Sequence, residues 1–113
     1  MAAKNVLITA PPYPVEQALK RLGANLRTAR LRRNLTIRSV AEKIGTGPRP
    51  IADAEKGKPS TSAAVYVALL WAYDLLDQLS DVARPALDEE GTALSLPHDR
   101  SRARVKEGLD SDF

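Results

Sequence analysis

The sequence has no cysteine among its 113 residues, and this absence excludes both a disulfide framework and a thiolate metal site. It also has no apolar run near the ~20 residues that a membrane-spanning helix needs. The apolar residues Val6 to Ile8 form a patch that is too short for a signal peptide. We therefore expect a cytoplasmic protein with no membrane association.

Residues typical of catalysis and cofactor binding are equally scarce. The chain has one histidine, His98, which stands beside Asp99 and Arg100 in a polar stretch and is expected to be solvated. The sequence shows no Gly-rich phosphate loop, no Ser/His/Asp set and no metal-ligand spacing. We therefore expect no enzymatic activity, no cofactor and no metal.

The charge is unevenly distributed along the chain. Residues 1–80 carry 12 Lys and Arg against 6 Asp and Glu, whereas residues 81–113 carry 5 against 8. A basic body with an acidic tail suggests two partners of opposite charge, although a short chain can also be lopsided by chance. The length supports one domain with one modest core.

Proline and composition set the two ends apart from the middle of the chain. Residues 1–14 end in PPYP and are expected to form an extended N-terminal arm. Within this arm NVLIT, residues 5–9, is β-prone and favours a short strand. From residue 86 to residue 113, charges, Pro97 and small residues dominate, and this composition predicts a disordered tail.

Apolar residues at helical spacing predict an all-α domain over residues 15–85. Asn34 and Gly45 stand where left-handed helix stops are expected, and Thr36 stands where a side-chain cap is expected. Ser60 or Thr61 is expected to cap the helix that follows Lys58-Pro59. The five predicted helices cover residues 15–33, 37–44, 48–56, about 61–73 and 75–83.

Two short helices joined by a tight glycine-containing turn beneath a longer basic helix describe a helix-turn-helix. LGANLRTARLRRNLT (22–36), SVAEKIG (39–45) and EKGKPS (55–60) resemble the first helix, the second helix and the loop after the third helix of Xre/Cro-type repressors. The resemblance covers about residues 22–79 and implies an all-α repressor-like bundle, a homodimer and DNA binding through the third helix. It also implies that Glu55 bridges to a first-helix arginine, here Arg30 or Arg27.

The segment expected to read DNA departs from the pattern of that family. Pro48-Arg49-Pro50 opens the third helix where polar and basic residues are usual, and Asp53 stands where the family tends to place an arginine. Because Pro50 disfavours helical geometry at Arg49, the helix is expected to begin near Pro50. Arg49 is then the chief candidate for reading bases. Asp53 suits hydrogen bonding to cytosine but is expected to repel phosphates.

Residues suited to phosphate binding are better preserved. The N-termini of the two short helices present N–H groups to anions, and basic side chains flank them. We expect DNA binding carried by backbone contacts, with modest affinity for a single site. A protein-binding adaptor with weak or no DNA binding is the alternative, and it would show no salt-dependent binding. The predicted DNA-binding residues are Arg27, Thr36, Arg38, Thr46, Gly47, Arg49, Lys56 and Lys58.

The stretch AAVYVALLWAYDLL, residues 63–76, is apolar on more sides than one small core can bury. The stripe that matches the core face of the resembling family contains Ala64, Val67, Ala68, Trp71 and Leu75. The other stripe is expected to meet a second copy of the chain, because its tyrosines suit an interface. A larger core within one chain is the alternative. The predicted dimer-interface residues are Tyr66, Leu69, Leu70, Tyr73 and Leu76.

The last six residues, GLDSDF, end a polar stretch with a leucine, two acids and an aromatic. Apolar anchors in a disordered end are typical of a partner-binding motif, with accidental composition as the alternative. A helix-turn-helix domain followed by a C-terminal segment of this kind resembles the organisation of HipB-type antitoxins. That resemblance implies a transcriptional repressor that regulates its own operon and binds a HipA-type kinase toxin. The predicted partner-binding residues are Leu109, Asp110, Asp112 and Phe113.

Overall fold

Every element of the structure is helical between residues 5 and 96, the part of the chain that a computed structural model describes. No strand occurs in this range, and the predicted all-α fold is confirmed. The chain forms two units, one ending at Leu79 and one beginning at Ser80. The elements are α1 (Val6–Thr9), α2 (Tyr13–Arg32), α3 (Ile37–Ile44), α4 (Pro48–Glu55), α5 (Ala63–Ala72), two 3₁₀ helices (Leu76–Asp81 and Pro85–Leu87) and helical backbone over 89–96.

The predicted strand at residues 5–9 is a short helix instead. The Asn5 side chain accepts a hydrogen bond from the Ile8 backbone N–H and caps α1. A lone β-prone segment gains little from an extended conformation when no second strand pairs with it. The local cap therefore decides the conformation of this segment.

Side-chain caps and left-handed residues set the ends of α2 and α3. Pro14 lies in the first turn of α2, where the missing N–H costs nothing, so the helix begins two residues earlier than predicted. Asn34 follows α2 with a φ of 54°. Thr36 and Ser39 form a reciprocal capping box at the start of α3, and Gly45 ends it with a φ of 81°. The predicted stops, the predicted cap and the bounds of α3 are all confirmed.

The start of α4 differs from the prediction. The helix begins at Pro48 rather than near Pro50, with Gly47 as its N-cap. Both prolines lie within the first turn, where N–H groups have no acceptor inside the helix, so neither removes a helical hydrogen bond. The helix ends before Gly57, which has a φ of 70°.

Two predictions for the following segment are also corrected. Ser62, rather than Ser60 or Thr61, caps α5 by accepting a hydrogen bond from the Val65 N–H. The predicted helix over 75–83 is a 3₁₀ helix, Leu76–Asp81. Asp74 precedes it with a φ of 59° and breaks the continuation of α5.

α4 lies at the centre of the first unit and packs against α2, α3 and α5. Its Ile51 and Ala54 side chains are completely buried. A Cβ atom placed on Gly23 of α2 would lie 2.5 Å from the backbone oxygen of Ala54, so the two helices approach more closely than any larger residue permits. Ala41 of α3 is also buried, as its small size predicts.

The structure reverses much of the predicted assignment of the two faces of residues 63–76, although Leu75 packs against the core as predicted. Tyr66, Leu69 and Tyr73, which were predicted to form a dimer interface, lie in the core of a single chain. Trp71, which was predicted to face the core, is 51% exposed. Because α5 is apolar on all sides, the sequence pattern alone does not separate its two faces.

The second unit is described from Ser80 to Leu96. Asp88 accepts a hydrogen bond from the Gly91 N–H at 2.9 Å, near the start of the helical residues 89–96. Residues 86–87 and 89–96 are helical where the composition predicts the beginning of a disordered tail. The predicted partner-binding residues Leu109, Asp110, Asp112 and Phe113 lie outside the described residues. No helix between residues 5 and 96 is long and apolar enough to cross a membrane.

Candidate nucleic-acid interface

α3 and α4 form a helix-turn-helix around a three-residue turn, residues 45–47. The carbonyl of Ala41 accepts hydrogen bonds from the N–H groups of Gly45 and Thr46, both at 2.9 Å, and this pair closes the end of α3. Val40 of α3 and Ile51 of α4 are buried in the core that the two helices share. The turn and the apolar contacts together hold α4 at a defined angle to α3.

A buried ion pair joins the end of α4 to α2. Arg30 donates from Nε to Glu55 Oε2 at 2.7 Å and from Nη2 to Glu55 Oε1 at 3.0 Å. Arg30 Nη1 also donates to the carbonyl of Leu35 at 2.9 Å, so one guanidinium connects α2, α4 and the segment before α3. The hydrogen bond to Glu55 raises the pKa of Arg30, and burial opposes that rise. The predicted bridge is confirmed, with Arg30 rather than Arg27 as the partner.

A surface cleft of about 300 Å³ brings together two of the predicted DNA-binding residues, Arg27 of α2 and Lys56 at the end of α4. Both side chains are exposed. The cleft is also lined by Ile37, the first residue of α3, and by Arg30 and Glu55, whose opposite charges pair with each other. An anion in this cleft would therefore meet two cations beside the N-terminus of a helix, where backbone N–H groups attract negative charge.

Thr36 and Arg38 lie at the same end of α3, and both are exposed. The Thr36 hydroxyl oxygen accepts from the Ser39 N–H at 3.0 Å, so its first role is to cap the helix. Arg38 is the second residue of α3 and adds a cation to this end. The structure thus places Arg27, Thr36, Arg38 and Lys56 around the start of α3.

The start of α4 is a poorer site for an anion. Pro48 and Pro50 have no backbone N–H, so Arg49 supplies the only N–H among the first three residues of the helix. The Arg49 side chain is exposed, Gly47 is exposed, and Thr46 is half-buried beside Pro50. The start of α4 therefore presents fewer N–H groups to an anion than a helix start without prolines would.

Lys58, another predicted DNA-binding residue, is already paired within the chain. Its Nζ lies 3.1 Å from Oδ1 of Asp53 on α4, with the two side chains 44% and 24% exposed. Lys58 lies five positions after Asp53 in the sequence, and the left-handed Gly57 turns the chain back so that Lys58 reaches α4. Helical spacing would not have revealed this contact, since it depends on the turn.

Sequence reasoning also missed a second cleft, on the Asp53 side of α4. It has a volume of about 350 Å³ and lies between α4 and the start of α5. Ser62 caps α5 at this cleft. The signal in the sequence was the run of hydroxyl residues before α5. The lining residues are Thr46, Pro50, Asp53, Ser60, Thr61, Ser62 and Val65.

Residues 21–83 match the family model of a helix-turn-helix domain, and this match covers more than half of the chain. No curated protein and no solved structure matches the chain significantly. The matched segment contains α3, its turn, α4, α5 and most of α2. The chain therefore belongs to the helix-turn-helix domain family of DNA-binding regulators.

Proposed function

We propose that the protein is a transcriptional repressor of the Xre/Cro type that binds double-stranded DNA through the outer surface of its helix-turn-helix. The observation that carries this proposal is the cleft at the start of α3, where Arg27 and Lys56 from two different helices converge. Arg38 adds a third exposed cation. Cations beside a helix N-terminus suit the phosphate backbone of DNA, which supplies most of the affinity of such proteins.

Arg49 is the residue that we propose to read bases. It is exposed in the first turn of α4 and is the one long cation there. An arginine that donates two hydrogen bonds to guanine O6 and N7 discriminates by ~1–3 kcal/mol against a wrong base. Because the flanking prolines remove two N–H groups from the start of α4, Arg49 provides most of the recognition at this point.

The experiment is a titration of the protein with a duplex from its own promoter and with a random duplex at several salt concentrations. Arg49→Ala should reduce the difference between the two duplexes by ~1–3 kcal/mol. Lys56→Ala should weaken both complexes and reduce the salt dependence, because it removes a phosphate contact. Lys20→Ala is the matched control, since Lys20 pairs with Glu16 on the exposed surface of α2 at 3.7 Å.

The outcome of the salt series also separates this function from its alternative. A protein-binding adaptor built on the same fold would show neither measurable DNA binding nor a salt slope. Unchanged discrimination in Arg49→Ala would remove this residue as the base reader and leave the phosphate contacts in place.

At a finer level, we propose that the repressor is the antitoxin of a toxin–antitoxin pair, represses its own operon and binds a HipA-type kinase toxin. The support is the sequence resemblance to HipB-type antitoxins over EKGKPST and AVYVALLWAYDLLDQL, together with the aromatic and acidic end of the chain. Leu109 and Phe113 would supply apolar anchors, and Asp110 and Asp112 would supply charges for a basic-rimmed pocket.

The test compares the full chain with a version that lacks residues 108–113, using the product of the adjacent gene as the partner. Deletion should sharply weaken partner binding and leave DNA affinity nearly unchanged, because the basic residues of the proposed DNA surface lie between Arg27 and Lys56. Equal partner affinity for the two forms would contradict the antitoxin proposal without affecting the repressor proposal.

We propose further that the repressor is a homodimer. The core position of Tyr66, Leu69 and Tyr73 removes them from the interface. The support for a second copy comes from the apolar side chains that the first unit leaves exposed, foremost Trp71 on α5. Of the residues predicted for the interface, Leu76 is 38% exposed and Leu70 is partly buried against the core.

A further inference from the structure

An acidic residue lies on the side of α4 that we propose to face DNA, one helical turn after Arg49. Residues four apart share a helix face, so Asp53 lies beneath Arg49 on the same side of α4. The opposite side of the helix carries Ile51 and Ala54, which are completely buried. A carboxylate in this place would repel the phosphate backbone if nothing neutralised it.

The structure neutralises this carboxylate from within the chain. Lys58 Nζ lies 3.1 Å from Asp53 Oδ1, which is close enough for a direct ion pair. We propose that Asp53 masks Lys58 from the phosphate backbone, so that Lys58 adds no phosphate contact while the pair is intact. This inference rests on the proposed DNA binding and changes the predicted role of Lys58 from a phosphate contact to a partner of Asp53.

Backbone contacts hold Lys58 next to Asp53 before any DNA binds. The Lys58 N–H donates to the carbonyl of Asp53 at 3.1 Å, and the Lys58 carbonyl accepts from the Thr61 N–H at 3.1 Å. The Tyr66 hydroxyl donates to the same carbonyl at 3.4 Å. Because the loop is already ordered, forming the ion pair immobilises only the lysine side chain, and this lowers the entropy cost that usually weakens exposed pairs.

Among the residues from 5 to 96, the neighbouring cation Lys56 forms no such ion pair. Lys56 is exposed and lies with Arg27 in the cleft at the start of α3, on the other side of α4 from the cleft that Asp53 lines. The two lysines are two residues apart yet stand in different electrostatic surroundings. Lys56 is therefore the lysine of this loop that we expect to bind phosphate, whereas the ion pair with Asp53 keeps Lys58 from doing so.

The consequence for DNA binding appears in the salt dependence. Each phosphate that a cation neutralises adds ~0.9 to the slope of log K against log salt, which corresponds to roughly eightfold in affinity at ~0.1 M salt. Asp53→Asn keeps the size and shape of the side chain but removes its charge, so it frees Lys58. We expect it to bind random duplex roughly eightfold more tightly, with a slope steeper by ~0.9 per chain.

The decisive measurement is a set of four proteins titrated with a random duplex between ~50 and ~200 mM salt: wild type, Asp53→Asn, Lys58→Ala and the double variant. In the wild-type background Lys58→Ala removes no phosphate contact, so it should lower the slope by much less than ~0.9, although the Asp53 carboxylate that it leaves unneutralised should weaken binding. In the Asp53→Asn background Lys58→Ala should lower the slope by ~0.9. Asp74→Asn is the matched control. It makes the same change of charge at a residue that follows α5 with a positive φ, which asparagine also tolerates.

Each other outcome overturns the inference in a recognisable way. If Lys58→Ala lowers the slope equally in both backgrounds, Lys58 already contacts phosphate in the wild type. If Asp53→Asn and Asp74→Asn have equal effects, the tighter DNA binding results from the change in net charge and not from the release of Lys58. If Asp53→Asn alters the ratio between promoter and random duplex, Asp53 reads a base instead of masking a lysine. If the wild type binds DNA but the slopes show no masking of Lys58, the proposed function still stands. If none of the four proteins binds DNA, both the masking and the proposed function are overturned.

Discussion

Replacing Glu55 with alanine leaves the guanidinium of Arg30 buried without its carboxylate. The two side chains are only 6% and 9% exposed, and the two hydrogen bonds between them are 2.7 and 3.0 Å long. The bond from Arg30 to the Leu35 carbonyl, which survives the substitution, satisfies one donor but does not neutralise the charge. Breaking a buried pair by removing one partner costs ~3–5 kcal/mol, because the remaining charge stays buried and unpaired.

That cost is large for a unit of this size. At ~0.05–0.15 kcal/mol per residue, a unit that ends at Leu79 is stable by roughly 4–12 kcal/mol. Each kcal/mol lowers the Tm of a domain of this length by ~4–8 °C, so Glu55→Ala should lower it by at least ~12 °C. Thermal and urea unfolding followed by circular dichroism measure this directly.

Two further variants make the measurement specific. Glu16→Ala breaks the exposed pair with Lys20, whose N–O distance is 3.7 Å and whose side chains are 40% and 58% exposed, and should cost no more than ~0.5 kcal/mol. The double variant Arg30→Met, Glu55→Leu should cost less than the sum of the two single changes, because it leaves no charge buried.

The reasoning fails if Glu55→Ala is no more destabilising than Glu16→Ala. Such a result would mean that packing between α2 and α4 holds the helix-turn-helix in place without the ion pair. A double variant that costs as much as the sum of its parts would show that the two residues act independently.

Three other predictions follow from the first unit. Burial raises the pKa of Tyr73 to about 12, above its usual value of ~10. The contribution of Tyr73 to the free energy of unfolding should therefore be fully present below pH ~10 and fall by roughly 2–3 kcal/mol as the pH rises to ~12. Tyr73→Phe should flatten this fall, and an alkaline profile that the substitution leaves unchanged would contradict the raised pKa of Tyr73. Gly23→Ala should destabilise by ~1–3 kcal/mol, because its Cβ would lie 2.5 Å from the Ala54 oxygen. Gly47→Ala, with open space around its Cβ position, should cost less, because it loses only the preference of an N-cap for glycine over alanine. Equal unfolding midpoints would disprove the close approach of the helices. Trp71→Ala should shift sedimentation from dimer to monomer while leaving unfolding of the chain nearly unchanged, and a wild-type protein that is monomeric at micromolar concentration would rule out the homodimer.

The helix-turn-helix itself could be predicted from the sequence because its signals are local. Thr36 caps α3 through hydrogen bonds to a residue three positions away, and Gly45 and Asn34 adopt left-handed conformations that few other residues tolerate. Such signals act within one helical turn and do not depend on the rest of the fold. The bridge between Arg30 and Glu55 joins residues far apart in sequence, and it was expected only from the resemblance to a family.

Local sequence rules did not suffice to predict the structure where two of them favour different conformations of the same residues. At the start of α4, proline at position 50 disfavours a helical Arg49, yet the helix begins at Pro48 because the first turn tolerates both prolines. At residues 5–9, β-propensity competes with the cap from Asn5, and the cap prevails. Before α5, three consecutive hydroxyl residues can all act as caps, and only the path of the chain selects Ser62.

The sequence by itself thus determined the fold class, the helix stops and the cations that surround the start of α3. Only the tertiary structure decided which face of α5 is buried, since a helix that is apolar on all sides has no periodic signal and turns toward whichever surface packs against it. Only the tertiary structure likewise decided that Glu55 pairs with Arg30 rather than with Arg27, because the two partners lie on different helices. An ion pair between two helices depends on how they pack in three dimensions, and no spacing in the sequence specifies that packing.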